Sequence, residues 1–216
     1  MPDTGTVGSG VGAQSTPSST IASLRLGNMT QLIVDELYGP QYESTYRGQT
    51  FHGANQAVVA TALQTGLTAT ATGGLILSNP IGNNKNLVVR SCAIGLLVAQ
   101  TNASIMGLMY AYSPSVAIAG TLTVVASQPG LVNGPGATGI LYSSASVTLQ
   151  STPVLARVLG SFGTGAITTQ TNSGLGPVNL EGSIVLIPGA ALAFYGTGAG
   201  TASSLLFSYS WAEVPI

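Results

Sequence analysis

Charge is what this chain has least of: five Lys+Arg, six Asp+Glu and one His make 5% charged residues among 216, against about a quarter in an ordinary globular domain. A net charge of −1 leaves no cluster of cations to meet a phosphate backbone or an anionic lipid surface. Neither nucleic acid nor membrane is therefore an expected partner. Cysteine is almost missing as well. Cys92, the single one, cannot form an internal disulfide and reads as a small hydrophobe within a strand. His52, the single histidine, excludes a multi-histidine metal site within one subunit. The N-terminus, Met1-Pro2-Asp3-Thr4-Gly5, lacks a basic stretch followed by an apolar one, so no secretory signal is visible and synthesis in a cytoplasm is expected. On that expectation the glycosylation-like tripeptides at Asn28 and Asn102 are chance matches. Mean hydropathy is +0.44, yet Arg90, Pro114, Pro129 and frequent Gly, Ser and Asn interrupt each apolar stretch before the roughly 20 residues of a spanning helix.

What is present suffices for a core. Hydrophobic residues are 45% of the chain, while Gly and Pro together supply 40 of its residues, the composition of many short elements joined by turns. Residues 1 to about 23 are mostly Gly, Ser and Thr and cannot build a core alone. They read as an extended arm. Met29 to Tyr38 fits a short amphipathic helix, with Ile33 and Leu37 spaced i to i+4 and Gly39-Pro40 as its stop. Six charges fall in residues 1–47 (Asp3, Arg25, Asp35, Glu36, Glu43, Arg47) and only Lys85, Arg90, Arg157, Glu181 and Glu213 follow. This change of regime divides an N-terminal arm, 1–47, from a β domain, 48–216.

Beyond Gly48 short β-compatible runs alternate with turn chemistry such as Asn79-Pro80, Gln128-Pro129-Gly130, Asn133-Gly134-Pro135-Gly136 and Pro188-Gly189. Strands are expected at 56–63, 75–78, 86–98, 105–112, 117–125, 139–149, 154–159, 181–187, 191–195 and 204–211. So many strands in so short a chain favour two packed sheets over one flat sheet. In the run 85–100 the even positions Val88, Arg90, Cys92, Ile94, Leu96 and Val98 oppose a smaller odd set, although Leu87, Val89 and Leu97 blur the contrast. The even face is expected to point inward. That would put Arg90 on an apolar face, where a charge needs a partner, and Glu181 is the expected one.

Chemistry-bearing patterns are sparse. No G-x-S-x-G elbow accompanies His52, which reads as a bland histidine. Asp35 and Glu36 diverge on a helix and Glu43 falls in a Tyr-rich loop. Glu181 and Glu213 have the residue types of a glycosidase pair but read as structural ion-pair acids. The glycine runs Gly134–Gly139 and Gly8–Ala13 match dinucleotide fingerprints in letters only, since neither sits between a strand and a helix. Lys85, the sole lysine, follows Asn84 in an expected turn and belongs to no phosphate-binding loop. Tyr38, Tyr42 and Tyr46 recur every four residues, but Gly39-Pro40 is expected to break any helix aligning them, so they read as arm anchors. Tyr110 with Tyr112, and Phe207, Tyr209 and Trp211, share strand faces and read as core or interface packing. No catalytic, cofactor or metal residue is assigned.

Several segments carry a resemblance: Tyr46–Phe51 leading into Ala54–Ala57, Leu77–Pro80 with Lys85–Val89, and the terminal Ser208–Ile216. In order and style, residues 46–216 resemble small virion structural proteins of tailed bacteriophages. The late strands of 180–195 resemble those of viral jelly-roll sandwiches. The resemblance implies an all-β, jelly-roll-like two-sheet sandwich with an extended N-terminal arm. It also implies a non-enzymatic cement or decoration protein in the virion, a homotrimer contacting itself and the major capsid protein. The alternative is a head-fibre, neck or tail-tip protein touching a host surface glycan through aromatics such as Tyr142 or Tyr195. A charge-poor surface agrees with a symmetric assembly that buries it.

Overall fold

The structure is a computed structural model that describes residues 6–8, 21–23, 41–55, 67–70, 72–96, 103–162, 174–197 and 205–216. The helix expected at 29–38 and the strand expected at 56–63 lie outside those residues, as do Asp35, Glu36 and Tyr38. Fourteen strands and one short helix make up the described elements. Two of the strands, β1 (Thr6–Gly8) and β2 (Ile21–Ser23), pair with each other in the N-terminal segment.

The body is a β-sandwich. Its eight main strands are β3 (Thr50–Ala54), β4 (Thr72–Ser78), β5 (Lys85–Leu96), β6 (Ser104–Tyr112), β11 (Val154–Phe162), β12 (Gly174–Leu186), β13 (Ala190–Gly196) and β14 (Leu205–Pro215). They pair from the outside in, antiparallel throughout: β3 with β14, β4 with β13, β5 with β12 and β6 with β11. This nested pairing, folded over into two sheets with orders β12-β5-β14-β3 and β11-β6-β13-β4, is a jelly roll. The expectation from sequence holds at that level.

Between β6 and β11 the chain inserts β7 (Ala119–Gly120), β8 (Val124–Val125), β9 (Gln128–Pro129) and β10 (Ile140–Thr148). β10 pairs with β4 and extends the larger sheet, while β9 pairs with β3 and extends the smaller one. The single strand expected at 117–125 is thus two two-residue strands, and Gln128-Pro129, read as a turn, also pairs. Pro129 is tolerated because β9 is an edge. The strand β3 was not anticipated, because its alternation, with Phe51 and Gly53 buried and His52 and Ala54 exposed, contains only one large apolar residue.

Between the sheets lie Leu75, Leu77, Leu108, Leu192, Phe194, Phe207, Tyr209 and Trp211, all at most 2% exposed. Phe194 stacks on Phe207 and Tyr209 at centroid distances of 4.5 and 4.8 Å, and Phe51 stacks on Trp211 at 5.9 Å. The expected packing of Phe207, Tyr209 and Trp211 is therefore intramolecular, whereas Tyr110 and Tyr112 are 42% and 43% exposed. A smaller cluster, including Ile76, Met109, Val147, Ala191 and Ala193, sits on the far side of the larger sheet, with Ala69 and Ile118 packed against it.

The strand β5 departs from simple alternation. Leu87 and Val89 are buried, then Cys92 and Ile94 are buried, so the inward face switches from odd to even positions. In the pairing with β14, Val89 faces Trp211 and Ser91 faces Ser210, leaving Arg90 as an extra residue. This is a β-bulge, and it reverses which side chains point inward. The even-face expectation holds for Cys92 and Ile94 and fails for Val88 and Arg90, which stay off the core. Replacing Phe194 with Ala removes the ring at the centre of the aromatic stack. It should lower unfolding free energy by about 3–5 kcal/mol, read as a lower urea midpoint at an unchanged denaturant slope.

Candidate functional site

Away from the core, the smaller sheet presents a face of small side chains flanked by two pockets. The first, about 380 Å³, is lined by His52, Ser91, Pro177, Gln128, Ser208 and Ser210 among others. His52 faces Ser210 across the β3–β14 pair, and Ser210 faces Ser91 across β14–β5. A serine beside a histidine is the start of a nucleophilic arrangement, but among the described residues lining this pocket there is no carboxylate to orient the imidazole.

The second pocket, about 580 Å³, is lined by Gln41, Val88, Arg90, Asn179, Glu181 and Gly182. Its walls are the bulge at Arg90, a matching irregularity in β12, and Gln41, the residue that caps the short helix α1 (Tyr42–Tyr46). In β12, Asn179 pairs with Ser91 and Ile184 with Val89, so residues 180–183 stand opposite Arg90 alone. The loop-out needs two residues with positive φ, Glu181 at 49° and Gly182 at 76°. α1 starts just beyond Gly39-Pro40, where a proline tolerates a helix because the first-turn N–H groups have no partner within it. It ends in a Schellman turn: Gln49 N–H donates to Ser44 O and Gly48 N–H to Thr45 O, with Gly48 at φ 67°. Glu43, expected in a loop, pairs with Arg47 at 2.7 Å on this helix, and Tyr42 stacks on Tyr46 at 5.9 Å.

Arg90 does not bond to Glu181, the partner expected for it. Its Nη2 donates to Ser44 Oγ at 2.9 Å, and Ser44 Oγ donates to Gln41 O. Arg90 thereby fastens α1 to the sheet, while its Nε is buried with no hydrogen-bond partner among the described residues. The two side chains share a pocket instead of a bond.

Glu213 is on the other face of the same sheet. It is 1% exposed, and its carboxylate accepts from Thr138 N–H (2.7 Å), Gly139 N–H (2.8 Å), Thr138 Oγ1 (2.7 Å) and Lys85 Nζ (2.9 Å). Burial raises its pKa, but these donors outweigh burial and hold it below the ordinary 4.5. Glu181 lines the pocket at Arg90 whereas Glu213 is buried on the opposite face, so the two carboxylates share no pocket. The run Gly134–Gly139, a fingerprint in letters, provides amide donors to this carboxylate rather than to a phosphate. Sequence reasoning missed that role, which depends on a contact between residues 75 positions apart.

The network continues. Asn83 Nδ2 donates to Thr138 Oγ1 and to Asn79 Oδ1, and Asn79 Nδ2 donates to the carbonyls of Lys85 and Leu186. Cys92 is buried and its thiol is pushed up to about 11 by desolvation, partly offset by Arg157. It is protonated at neutral pH and unsuited to nucleophilic work. Tyr142 lines a further pocket of about 250 Å³ with Asn79 and Gln150, and Tyr195 packs on the smaller cluster. Among the described residues no group of three His, Cys, Asp or Glu side chains is placed to hold a metal ion, and no helix is long and apolar enough to cross a membrane.

Compared with known proteins, the chain matches no family model, no curated protein and no solved structure.

Because Glu213 titrates lower in the folded chain than in the unfolded one, its stabilising effect is complete above pH about 4.5 and is lost as pH falls through the folded value. Glu213→Gln should cost about 3–5 kcal/mol at pH 7, the range for breaking a buried charged pair. Urea midpoints measured from pH 7 to pH 3 should fall for the wild type and change less for the variant.

Proposed function

We propose that the protein is a non-enzymatic structural component of a bacteriophage virion, a cement or decoration protein that stabilises a shell by subunit contacts. The observation that carries this reading is the pairing of a jelly roll with a surface almost free of charge. Jelly rolls serve in viral capsids, lectins and cupins, so the fold alone decides nothing. The surface narrows the choice. Val132, Val124, Val158 and Val154 are 90%, 66%, 56% and 53% exposed, and Val154, on the edge strand β11 of the larger sheet, lies directly across from exposed Tyr110 on its neighbour β6. Such apolar area beside few charges belongs in contacts.

Those contacts would be made by side chains rather than by continuing a sheet. On β12, an edge strand among the described residues, lie Pro177 and the 180–183 loop-out, and β11 is interrupted by two register shifts. Both devices discourage edge-to-edge pairing. A trimer on the major capsid protein, with the Gly/Ser/Thr-rich arm reaching a neighbour, is the arrangement we propose. Its mechanism is buried area multiplied over many copies.

The alternative, a fibre, neck or tail-tip protein that touches a host glycan, gains support from the polar pocket at Arg90. Copy number separates the two. Quantitative mass spectrometry of purified particles should find the protein in hundreds of copies, and about a dozen or fewer would favour the alternative. Deleting residues 1–28 should weaken particle attachment or oligomerisation while leaving the β circular-dichroism signal intact. Unchanged attachment would remove the arm from the account.

A further inference from the structure

The pocket formed by Gln41, β5 and β12 contains two of the five charged side chains of residues 48–216. They have opposite sign, and yet they are not paired with each other. Arg90 is held by Ser44, with Nε unpartnered among the described residues. Glu181 is held by its backbone: φ of 49° places a non-glycine residue in the left-handed region, beside Gly182 at 76°. A glycine at position 181 would take that conformation without strain. Strain kept at a pocket wall is a feature that ligand binding can explain.

We propose that this pocket binds a neutral saccharide unit, whose hydroxyls accept from Arg90 and donate to Glu181. Several observations fix the ligand class. The two charges cancel, so a simple anion meets Glu181 unfavourably and a simple cation meets Arg90 unfavourably. A hydroxyl is both donor and acceptor and satisfies each. Gln41 and Asn179 add amides of the same dual character, and Val88 offers an apolar patch for the C–H face of a sugar ring. The volume of about 580 Å³ falls within the roughly 300–1,000 Å³ of small-molecule sites. It holds one or two rings. Binding there would also load α1, because Gln41 begins that helix and Arg90 anchors it.

A sugar site here favours the glycan-contacting alternative without requiring it, since a decoration protein can also bind a sugar, and the binding test below stands apart from the copy-number test. The test is an array of neutral oligosaccharides ending in glucose, galactose, mannose or an N-acetylhexosamine, probed with the full chain. Calorimetry on the best binder follows. Glu181→Gln and Glu181→Gly are the variants. Both should weaken binding at least tenfold, and Glu181→Gly should do so with an unchanged or raised melting temperature, which separates lost recognition from lost folding. The proposal is overturned if no saccharide is retained above the Glu181→Gly background. It is also overturned if a saccharide binds wild type and both variants alike, since the ligand then sits elsewhere.

Discussion

A buried carboxylate holds one end of this jelly roll together. Glu213 is near the end of the last strand, and its four donors come from Lys85, at the start of β5, and from Thr138 and Gly139, at the end of the long insertion. Through Thr138 and Asn83 the same network reaches Asn79, which binds carbonyls at the start of β5 and the end of β12. Backbone pairing joins the ends of β14 and β12 to the start of β5, whereas Thr138 and Gly139, which lead into β10 of the other sheet, are tied to them through the Glu213 side chain. A charge that must be fully solvated by protein supplies the missing constraint, because leaving any of its donors unpaired in the interior is expensive. In a chain with so few charges, this one is spent on architecture.

The bulge at Arg90 sets the other structural theme. One extra residue in β5 moves the inward face from odd to even positions, lets Leu87, Val89, Cys92 and Ile94 all reach the core, and turns Arg90 outward. Arg90 then binds Ser44 and positions α1, and the compensating loop-out in β12 places Glu181 across the resulting pocket. Fold irregularity and pocket have a common origin.

Much of the fold was legible because turn residues mark strand ends locally. Pro188-Gly189 and Asn79-Pro80 separate strands where expected, and the strands near 105–112, 139–149 and 191–195 lie within about two residues of β6, β10 and β13. Register was not legible, since it depends on which strand lies alongside. The apolar Leu87 and Val89 that blurred the pattern in β5 were in fact its odd-phase half, ahead of the bulge. The Arg90–Glu181 pairing fails for the same reason: the two residues are neighbours across one pocket, as expected, but the bulge directs Arg90 to Ser44, on a short helix where the sequence reads as a Tyr-rich loop. Glu213 was recognised as an ion-pair acid, while its amide donors in the glycine run became apparent only in three dimensions.

The scarcity of charge unites these features with the proposed role. Of the five charged side chains of residues 48–216, Lys85 and Glu213 pair with each other, Arg90 and Glu181 line one pocket and Arg157 is exposed, so little electrostatic repulsion keeps copies of this domain apart and association through apolar side chains becomes the central claim. Sedimentation velocity of the full-length chain at tens of micromolar, in low salt and in about 1 M salt, where charge interactions are screened within about 3 Å, tests it directly. The account predicts a discrete oligomer, a trimer on the proposed arrangement, that persists at high salt. A monomer under both conditions, or an oligomer that dissociates as salt rises, would contradict it.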